Sequence, residues 1–550
     1  MELNDDITLI PSAASYRPGQ RIEIELAGEA SGQSTQRTLV VTHLLEEVAR
    51  VEVDSGTTRI EVSVHELGGY GVALVEDNTI VARTAFDVLD SPFERPRYGF
   101  TAKLDAETDA ASVVAFFRRM HLNLAQFYDW GYRHSELLPP EREYLDPLGQ
   151  PRDLEVVNGL AAAFDEAGVL PLGYSAVYAV GNSETDAWKG ELLLRADGVP
   201  YRLGEEFLTL LDPAAPRWLE HYGAMLARAL AGTALRGFHL DQYGWPKRAL
   251  RGDGVIVDLD RSYATMIEAV RAAVPDAGLI FNNVNDFGTV QTAGTPQDAS
   301  YIEVWPPHDT LGDLGLLATR TRALRPEHPP ILSAYLSCYA TESAERADAA
   351  AELVMATAFS HGASHLLLGE AGHALTDPYY PKNHTLPLTS HGLFARWYDA
   401  AVRWGDLLFD PAQQDVSEFM TGGINNDVVL DAEGVRFSTK AEPGTVWTRV
   451  VRTSRGLVIH LINLLGQSEC AWDAGKSPAT ALDGATLTLA PVTGREAPVW
   501  IEPGADPLAL AGAVGADDEA HDALSASQTT LEFPLPPLAT WGFVFVPFTD

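Results

Sequence analysis

The sequence predicts a multidomain chain in which a central (β/α)₈ TIM barrel lies between two β domains. Three observations indicate this fold. Strand-like alternation fills residues 1–95, and short apolar runs alternate with helix-period stretches over 96–410. The helical period then disappears over 411–550. At 550 residues the chain is also too long for one ordinary domain.

Residues 1–95 show the period of two that is typical of half-buried strands. Apolar and polar residues alternate over 21–26 and 59–64, and the turn pairs Pro18-Gly19 and Gly68-Gly69 separate such runs. Short strands at this spacing predict a small immunoglobulin-like β-sandwich. The proline-containing segment 91–96 is the predicted linker that ends it.

The central region contains eight apolar runs, with amphipathic stretches such as 218–230, 263–274 and 344–359 between them. Eight βα units in this length are typical of a TIM barrel, whereas a doubly wound sheet, the alternative, normally has fewer repeats. The predicted strands are 98–104, 123–130, 170–177, 237–243, 278–284, 301–305, 330–336 and 364–370.

Residues 411–550 return to strand-like runs, such as 457–462 and 541–546, and predict an antiparallel β-sandwich. A stretch rich in Ala, Gly and Asp, 504–527, is predicted to be a long loop. Cys338 and Cys470 lie in different predicted domains and outside any CxxC pair. They therefore give little support to a disulfide framework or a zinc site.

The charge balance restricts the class of partner. The chain has 39 basic and 76 acidic residues, a net charge of −37. Such a surface repels phosphate backbones and anionic lipids, so we expect neither nucleic acid nor membrane partners. It suits a neutral ligand such as a sugar, although acidity also serves solubility alone. The start of the chain lacks a signal-peptide pattern, which predicts a cytoplasmic protein, and nothing indicates an oligomeric state.

Acids, amides and aromatic residues stand at the carboxyl ends of the predicted strands, where TIM barrels place their active sites. This combination favours a sugar pocket, because hydroxyl groups need polar partners and pyranose faces stack on aromatic rings. A retaining glycosidase needs two carboxylates about 5 Å apart. Asp241 and Glu303 end strands that lie two places apart around a barrel, so their side chains are predicted to face one substrate.

Four segments resemble glycoside hydrolase family 66, which contains dextranases and the glucanotransferases that make cyclic isomaltooligosaccharides. They are FYDWGYRH (127–134), GFHLDQYG (237–244), YIEVW (301–305), and GE followed by DPYYPKNHT (369–385). The resemblance implies action on α-1,6-glucosidic bonds with retention of configuration. It gives Asp241 the place of the nucleophile and Glu303 that of the general acid/base. This chemistry implies no metal or organic cofactor.

Around this pair we expect Asp129 and Trp130 to bind and stack on the substrate, and Gln242 and Tyr243 to orient the nucleophile. The further substrate-binding candidates are Asn282, Asn283, Trp305, Glu370, Tyr379, Tyr380, Asn383 and His384.

Several of these assignments have a structural alternative, and Asp241 could be an ordinary acid that caps the loop after the fourth strand. Glu370 could serve as the acid in place of Glu303, and Asp129 and Trp130 could pack at the barrel rim. Asn282 and Asn283 could equally hold the loop. His361 and His365 have the helical spacing of a metal pair, but Gly362 breaks the helix that such a site requires.

These observations predict hydrolysis of dextran-type α-1,6-glucans. For a cytoplasmic enzyme the substrates would be imported linear or cyclic isomaltooligosaccharides. One alternative is a cycloisomaltooligosaccharide glucanotransferase. The family's well-known cyclising members carry a carbohydrate-binding module inserted in the barrel region, and this barrel has no room for one. Another alternative is a sugar-binding barrel without activity, which the two filled carboxylate positions disfavour.

Overall fold

Two antiparallel sheets form the amino-terminal part of the chain. The computed structural model describes residues 7–28, 37–205, 207–422, 424–490, 496–514 and 531–549. Inward-facing residues of both sheets, among them Ile24, Leu39 and Val72, form one buried apolar cluster. The first sheet contains Thr8–Pro11, Ile22–Ala27 and Arg59–Val62, and the second contains Arg37–His43, Glu46–Glu52, Gly68–Glu76 and Thr79–Val88.

A mainly parallel sheet forms the centre of the molecule. Its strands pair in chain order, and each is buried on both faces, as expected of parallel strands covered by helices. Phe100, Leu172 and Ile280 belong to an apolar cluster on one face of this sheet. The parallel strands are Tyr98–Thr101, Leu124–Phe127, Leu170–Ala176, Gly237–Asp241, Gly278–Asn282, Ala299–Glu303, Ile331–Ser333, Ser364–His365 and Leu368–Gly369.

The eighth predicted strand, 364–370, is divided into two short pieces. Ser364–His365 pairs with Ile331–Ser333, and Leu368–Gly369 pairs in parallel with Tyr98–Thr101. Two further antiparallel strands, His373–Ala374 and His384–Thr385, extend the sheet beyond it. Most of the other predicted strands are too long at their carboxyl ends, because the polar residues there leave the ladder and enter loops.

Helices connect the parallel strands. The stretches 218–230 and 344–359 lie within observed helices, and 263–274 overlaps a helix that begins at Leu259 and ends at Ala273. Pro216 occupies the first turn of its helix, as its fixed φ favours. The helices of the connections are Ala110–Arg119, Leu154–Glu166, Pro216–Gly232, Leu259–Ala273, Thr289–Thr292, Leu311–Leu324, Cys338–Thr341, Ala344–Ser360 and Leu388–Arg403. None of the helices in the described ranges is long and apolar enough to cross a membrane.

Short strands interrupt the loops that follow the carboxyl ends of the parallel strands. Sequence periodicity did not predict them, because two- and three-residue strands are too short to show a period. One hairpin of these strands contains Leu203 and Phe207, which line a cavity at the carboxyl ends of the sheet. They are Glu143–Leu145, Pro151–Asp153, Ala179–Gly181, Leu193–Leu194, Arg202–Leu203, Leu208–Leu210, Arg248–Arg251 and Ile256–Asp258.

Two sheets form the carboxyl-terminal part, and they share a buried apolar cluster. They are antiparallel apart from Phe437–Ser438, which runs parallel to Val446–Arg452. The predicted loop 504–527 contains two short strands, and its portion 515–527 lies outside the described residues. The first sheet contains Gln414–Asp415, Phe437–Ser438, Val446–Arg452, Gly456–Asn463, Trp541–Pro547, Val499–Ile501 and Leu508–Ala509. The second contains Val428–Asp431, Thr486–Leu489, Leu531–Pro534 and Ala513–Val514, and the short helices Gly405–Leu408 and Ser417–Met420 precede this part.

Candidate active site

Three adjacent parallel strands end in Asp241, Asn282 and Glu303. The side-chain Nδ2 of Asn282 donates to Asp241 Oδ1 at 2.7 Å and to Glu303 Oε2 at 3.1 Å. Because one nitrogen atom contacts both carboxylates, these two oxygens are separated by less than about 6 Å, the sum of the two distances. The structure therefore brings the two acids together, with an amide between them.

Two tyrosine hydroxyls hold the remaining carboxylate oxygens. Tyr174 on the third strand donates to Asp241 Oδ2 at 2.8 Å, and Tyr335 after the seventh strand donates to Glu303 Oε1 at 2.8 Å. Each carboxylate thus accepts one bond from a tyrosine and one from Asn282. Such charge-assisted bonds fix the orientation of both groups.

The electrostatics of the pair favour retention of a proton. Burial raises the pKa of Asp241, and the negative charge of Glu303 raises it further, while bonds from Asn282 and Tyr174 oppose the shift. Burial also raises the pKa of Glu303, against bonds from Tyr335 and Asn282. Two buried carboxylates this close resist being ionised together, so the pair is suited to one charged and one protonated member.

The two carboxylates open into a cavity of about 390 Å³ at the carboxyl ends of the strands. Aromatic side chains make much of its wall, and the rings of Tyr128 and Tyr380 are stacked with centroids 4.3 Å apart. A pocket of apolar faces with a few converging polar groups suits a neutral sugar. The aromatic residues that line it are Tyr128, Tyr174, Phe207, Tyr243, Trp245, Tyr301, Trp305, Tyr335, Tyr379 and Tyr380.

Asp129 lies in the same cavity wall, in the left-handed conformation with φ 43°. Burial and the nearby Asp146 raise its pKa to about 7, although Arg152 opposes the shift. Arg152 donates to the backbone oxygen of Asp129 at 3.0 Å and forms an ion pair with Asp146 at 2.7 Å. Aspartate tolerates this backbone conformation better than most residues, and such strain is common at functional sites.

Several predicted site residues line the cavity and several do not. Those that line it are Asp129, Asp241, Tyr243, Asn282, Glu303, Trp305, Tyr379 and Tyr380. Those that do not are Trp130, Gln242, Asn283, Glu370, Asn383 and His384.

Three predicted site residues, Trp130, Gln242 and Asn283, face away from the cavity because side chains alternate in direction at strand ends. Trp130 is fully buried in the core behind the sheet, against Gly173, and cannot stack on a sugar. Gln242 donates to the backbone oxygen of Asn282 at 3.1 Å and so supports the site from outside the cavity. Asn283 accepts a bond from Thr292 Oγ1 at 2.7 Å. Neighbouring residues of an extended chain point to opposite sides. Asp241 and Asn282 line the cavity. The residues that follow them, Gln242 and Asn283, therefore face away from it.

Of the remaining three residues, Glu370 and Asn383 line another cleft beside the eighth strand. Glu370 Oε1 accepts the backbone N–H groups of Ala102 and Lys103, and thus ties the eighth strand to the first. Asn383 contacts His373, and His384 is exposed in its short strand. Glu370 does not line the cavity of Asp241 and Glu303, which removes it as the alternative acid.

Sequence reasoning missed Tyr128, Tyr174 and Tyr335. Tyr174 lies within the third predicted strand and Tyr335 near the end of the seventh. Their inward-facing positions in predicted strands were the available signal. Strand-end position, however, singles out polar residues that follow a strand, and these two tyrosines lie within the predicted strands.

His361 and His365 are both buried and bonded to backbone oxygens, of Thr357 at 2.7 Å and of Ala334 at 2.9 Å. The helix ends at Ser360, and Gly362 has φ +65°, as expected of a helix breaker. Cys338 and Cys470 are buried free thiols.

Comparison with known proteins assigns the chain to a family. Residues 12–545 match the family model of glycosyl hydrolase family 66. Two cycloisomaltooligosaccharide glucanotransferases of Niallia circulans are 22% identical over 433 residues and 21% over 434, each match covering 72% of this chain. The chain spans 44% of the length of these relatives.

Among solved structures, the fold resembles a Paenibacillus sp. cycloisomaltooligosaccharide glucanotransferase complexed with cycloisomaltoheptaose. The TM-score is 0.85 at 17% identity, over 98% of this chain and 100% of that one. A maltogenic α-amylase of Thermotoga neapolitana has a TM-score of 0.50 at 10% identity, over 83% of this chain and 100% of that one. The family match extends over nearly all of the sequence, including both carboxylates of the cavity, and the chain belongs to glycosyl hydrolase family 66.

Proposed function

We propose that the chain is a retaining glycosidase of α-1,6-linked glucans that transfers its glycosyl group mainly to a sugar hydroxyl. The observation that carries the reaction type is the pair Asp241 and Glu303 joined by Asn282. Carboxyl groups of retaining enzymes are about 5–5.5 Å apart, whereas those of inverting enzymes are about 6.5–9.5 Å apart. The upper limit of about 6 Å between the Asn282-bound oxygens favours retention.

The reaction follows from the two roles. Asp241 attacks the anomeric carbon while Glu303 donates its proton to the leaving oxygen, so the glycosidic bond breaks and a β-linked glycosyl-enzyme forms. Formation of this ester removes the negative charge of Asp241. Glu303, now ionised, takes the proton of the incoming hydroxyl as that oxygen displaces Asp241.

The aromatic cavity and the relatives support the choice of substrate. A neutral ring stacks on the tyrosine and tryptophan faces, and the raised pKa of Asp129 lets its carboxyl group act as donor or acceptor to a hydroxyl. Both curated relatives are cycloisomaltooligosaccharide glucanotransferases, which favours transfer within an α-1,6-glucan chain over the hydrolysis that the sequence predicts.

We infer further that the parallel strands close into a (β/α)₈ barrel over 96–410, between β domains at 1–95 and 411–550. Closure is supported by the segment 364–369, whose first residues pair with the seventh strand and whose last pair with the first strand. The separate apolar clusters of the terminal sheets support the division into domains.

Product analysis on dextran and isomaltooligosaccharides tests the acceptor. We expect products that lack one water by mass, as cyclisation requires, and loss of these products in Asp241→Asn. One new reducing end for each bond cleaved would show that water is the acceptor and that the chain is a hydrolase, whereas linear products without new reducing ends would show transfer to another sugar chain.

A substrate with a fluoride leaving group tests the two carboxylate roles separately. Fluoride needs no protonation, so Glu303→Gln should still release it from an α-isomaltosyl fluoride, whereas Asp241→Asn should not. Glu370→Gln is the matched control, because Glu370 is a buried strand-end carboxyl outside the cavity. This variant should still act on isomaltooligosaccharides and still release fluoride. Full activity of Asp241→Asn would disprove the assigned nucleophile.

A further inference from the structure

A second cavity, of about 330 Å³, lies where three parts of the chain meet. Its walls come from the amino-terminal strands Gly68–Glu76 and Thr79–Val88, from the helix Leu388–Arg403, and from the loop 502–506. Arg119 and Arg403 are the last residues of their helices. Helices that return between parallel strands run opposite to them, so this cavity lies at the end where the strands begin, away from Asp241 and Glu303.

Positive charge is in excess in this cavity, although the whole chain carries −37. Five arginines line it against three carboxylates. The arginines are Arg50, Arg83, Arg119, Arg396 and Arg403, and the carboxylates are Asp399, Glu502 and Asp506.

Two of the three carboxylates form ion pairs, and Glu502 forms none in the described residues. Arg83 contacts Asp506 through two bonds of 2.6 and 3.2 Å. Asp399 accepts from His121 at 2.7 Å and lies 3.4 Å from Arg119. Arg50 pairs with Glu47. In the described residues Arg396 and Arg403 form no ion pair, so these two guanidinium groups face one unpaired carboxylate, Glu502.

Arg403 forms no ion pair in the described part of the chain, although the charge of the nearby Asp506 favours its charged form. Its guanidinium lies 4.9 Å from the ring centroid of Trp404, and its Nε is buried without an acceptor. A Cβ atom on Gly71 would come within 2.6 Å of that Nε, so glycine leaves the space that the guanidinium fills. Burial lowers the pKa of Arg403 to about 10; the negative charge of Asp506 opposes this shift, and the positive charge of Arg83 adds to it. A half-buried cation that no carboxylate bonds directly is costly, and an anion beside it would offset that cost.

We propose that this cavity binds a phosphate group, held by Arg403 within it and by Arg396 at its exposed rim. Planar guanidinium groups bind tetrahedral oxyanions through paired N–H donors. Trp404 is only 2% exposed, so its ring cannot stack on a neutral sugar, which separates this site from the aromatic cavity of the active site.

The proposal is tested by binding of inorganic phosphate to the full chain, at constant ionic strength balanced with chloride. Isothermal titration should detect one site, and the midpoint of thermal unfolding should rise with phosphate concentration. Glucose 6-phosphate is the second arm: tighter binding than inorganic phosphate would identify a sugar phosphate as the ligand, and weaker binding the free ion.

The variants distinguish this site from general surface binding. Arg403→Gln and, separately, Arg396→Gln should weaken phosphate binding about tenfold or more, as loss of a charged bond predicts. Arg236→Gln is the matched control, because that arginine is exposed and pairs with Asp165 at 2.8 Å elsewhere on the surface. Arg396 is exposed, so its variant should fold even where Arg403→Gln does not. Absence of titration heat and midpoint shift in the wild type, or equal binding by wild type and Arg396→Gln, would overturn the proposal.

Discussion

At the scale of single residues, Asn282 holds the carboxylates of Asp241 and Glu303 in place. It lies between them and donates to both, so its side chain sets their separation and stabilises the charged form of each. Tyr174 and Tyr335 each act on one carboxylate only. The consequences of losing these donors differ and can be measured as shifts of the pH–rate profile.

Asn282→Ala should lower kcat/KM about 10- to 100-fold, the expected effect of losing one charge-assisted bond. Because this amide holds down the pKa of both carboxylates, both limbs of the pH profile should move to higher pH. Asn283→Ala is the matched control, since its side chain faces Thr292 outside the cavity. An unshifted profile in Asn282→Ala would contradict the bridging role.

Tyr335→Phe should move mainly the basic limb. Burial raises the pKa of Glu303, and the Tyr335 hydroxyl opposes that rise, so its removal raises the pKa further. Glu303 must be protonated to donate, and activity is lost as pH rises through its pKa. The basic limb of kcat/KM should therefore move to higher pH. Movement of the acid limb alone would instead assign the tyrosine to the nucleophile.

At the scale of elements, the short hairpin of Arg202–Leu203 and Leu208–Leu210 supplies part of the cavity wall. Phe207 lies between these two strands and lines the cavity. No periodic signal marks such a hairpin, so the sequence predicted the strand ends of the site but not the loops that cover it.

Phe207→Ala should raise KM for isomaltooligosaccharides about tenfold, roughly 1.4 kcal/mol of binding, with a smaller effect on kcat. Its ring is distant in sequence from both carboxylates and contributes apolar wall rather than chemistry. Ile256→Ala is the control, an exposed apolar side chain of a neighbouring short strand. A fall in kcat without a rise in KM would show that the hairpin acts in the chemical step.

At the scale of the whole molecule, a buried ion pair joins the amino-terminal sheet to the central sheet. Arg97, just before the first parallel strand, contacts Asp87 at 2.7 and 3.1 Å, and both side chains are at most 2% exposed. The same guanidinium donates to the backbone oxygen of Ala14 at 3.2 Å. These contacts set the position of the amino-terminal sheet that contains Asp87 relative to the central sheet.

Arg97→Met should destabilise the chain by about 3–5 kcal/mol, because it leaves Asp87 charged and buried without its partner. Urea unfolding followed by fluorescence measures this change. Arg236→Gln, at an exposed pair, should cost at most about 1 kcal/mol. Equal midpoints for the two variants would show that the buried pair does not hold the sheets together.

The sequence by itself determined the succession of β, β/α and β regions, because periods of 2 and 3.6 are local properties of the chain. It also indicated Asp241 and Glu303, since polar residues after buried strands gather at one edge of a parallel sheet. Family membership, first suggested by four short segments, is confirmed over residues 12–545.

Only the tertiary structure decided which neighbours of those residues face the substrate. Trp130, Gln242 and Asn283 stand beside cavity residues in sequence but on the opposite side of the extended chain. Tyr174 and Tyr335 are distant in sequence and yet bond the two acids. The physical reason is that a hydrogen bond depends on direction and distance in space. Both are set where strands far apart in the chain pack side by side, and local periodicity carries no information about either.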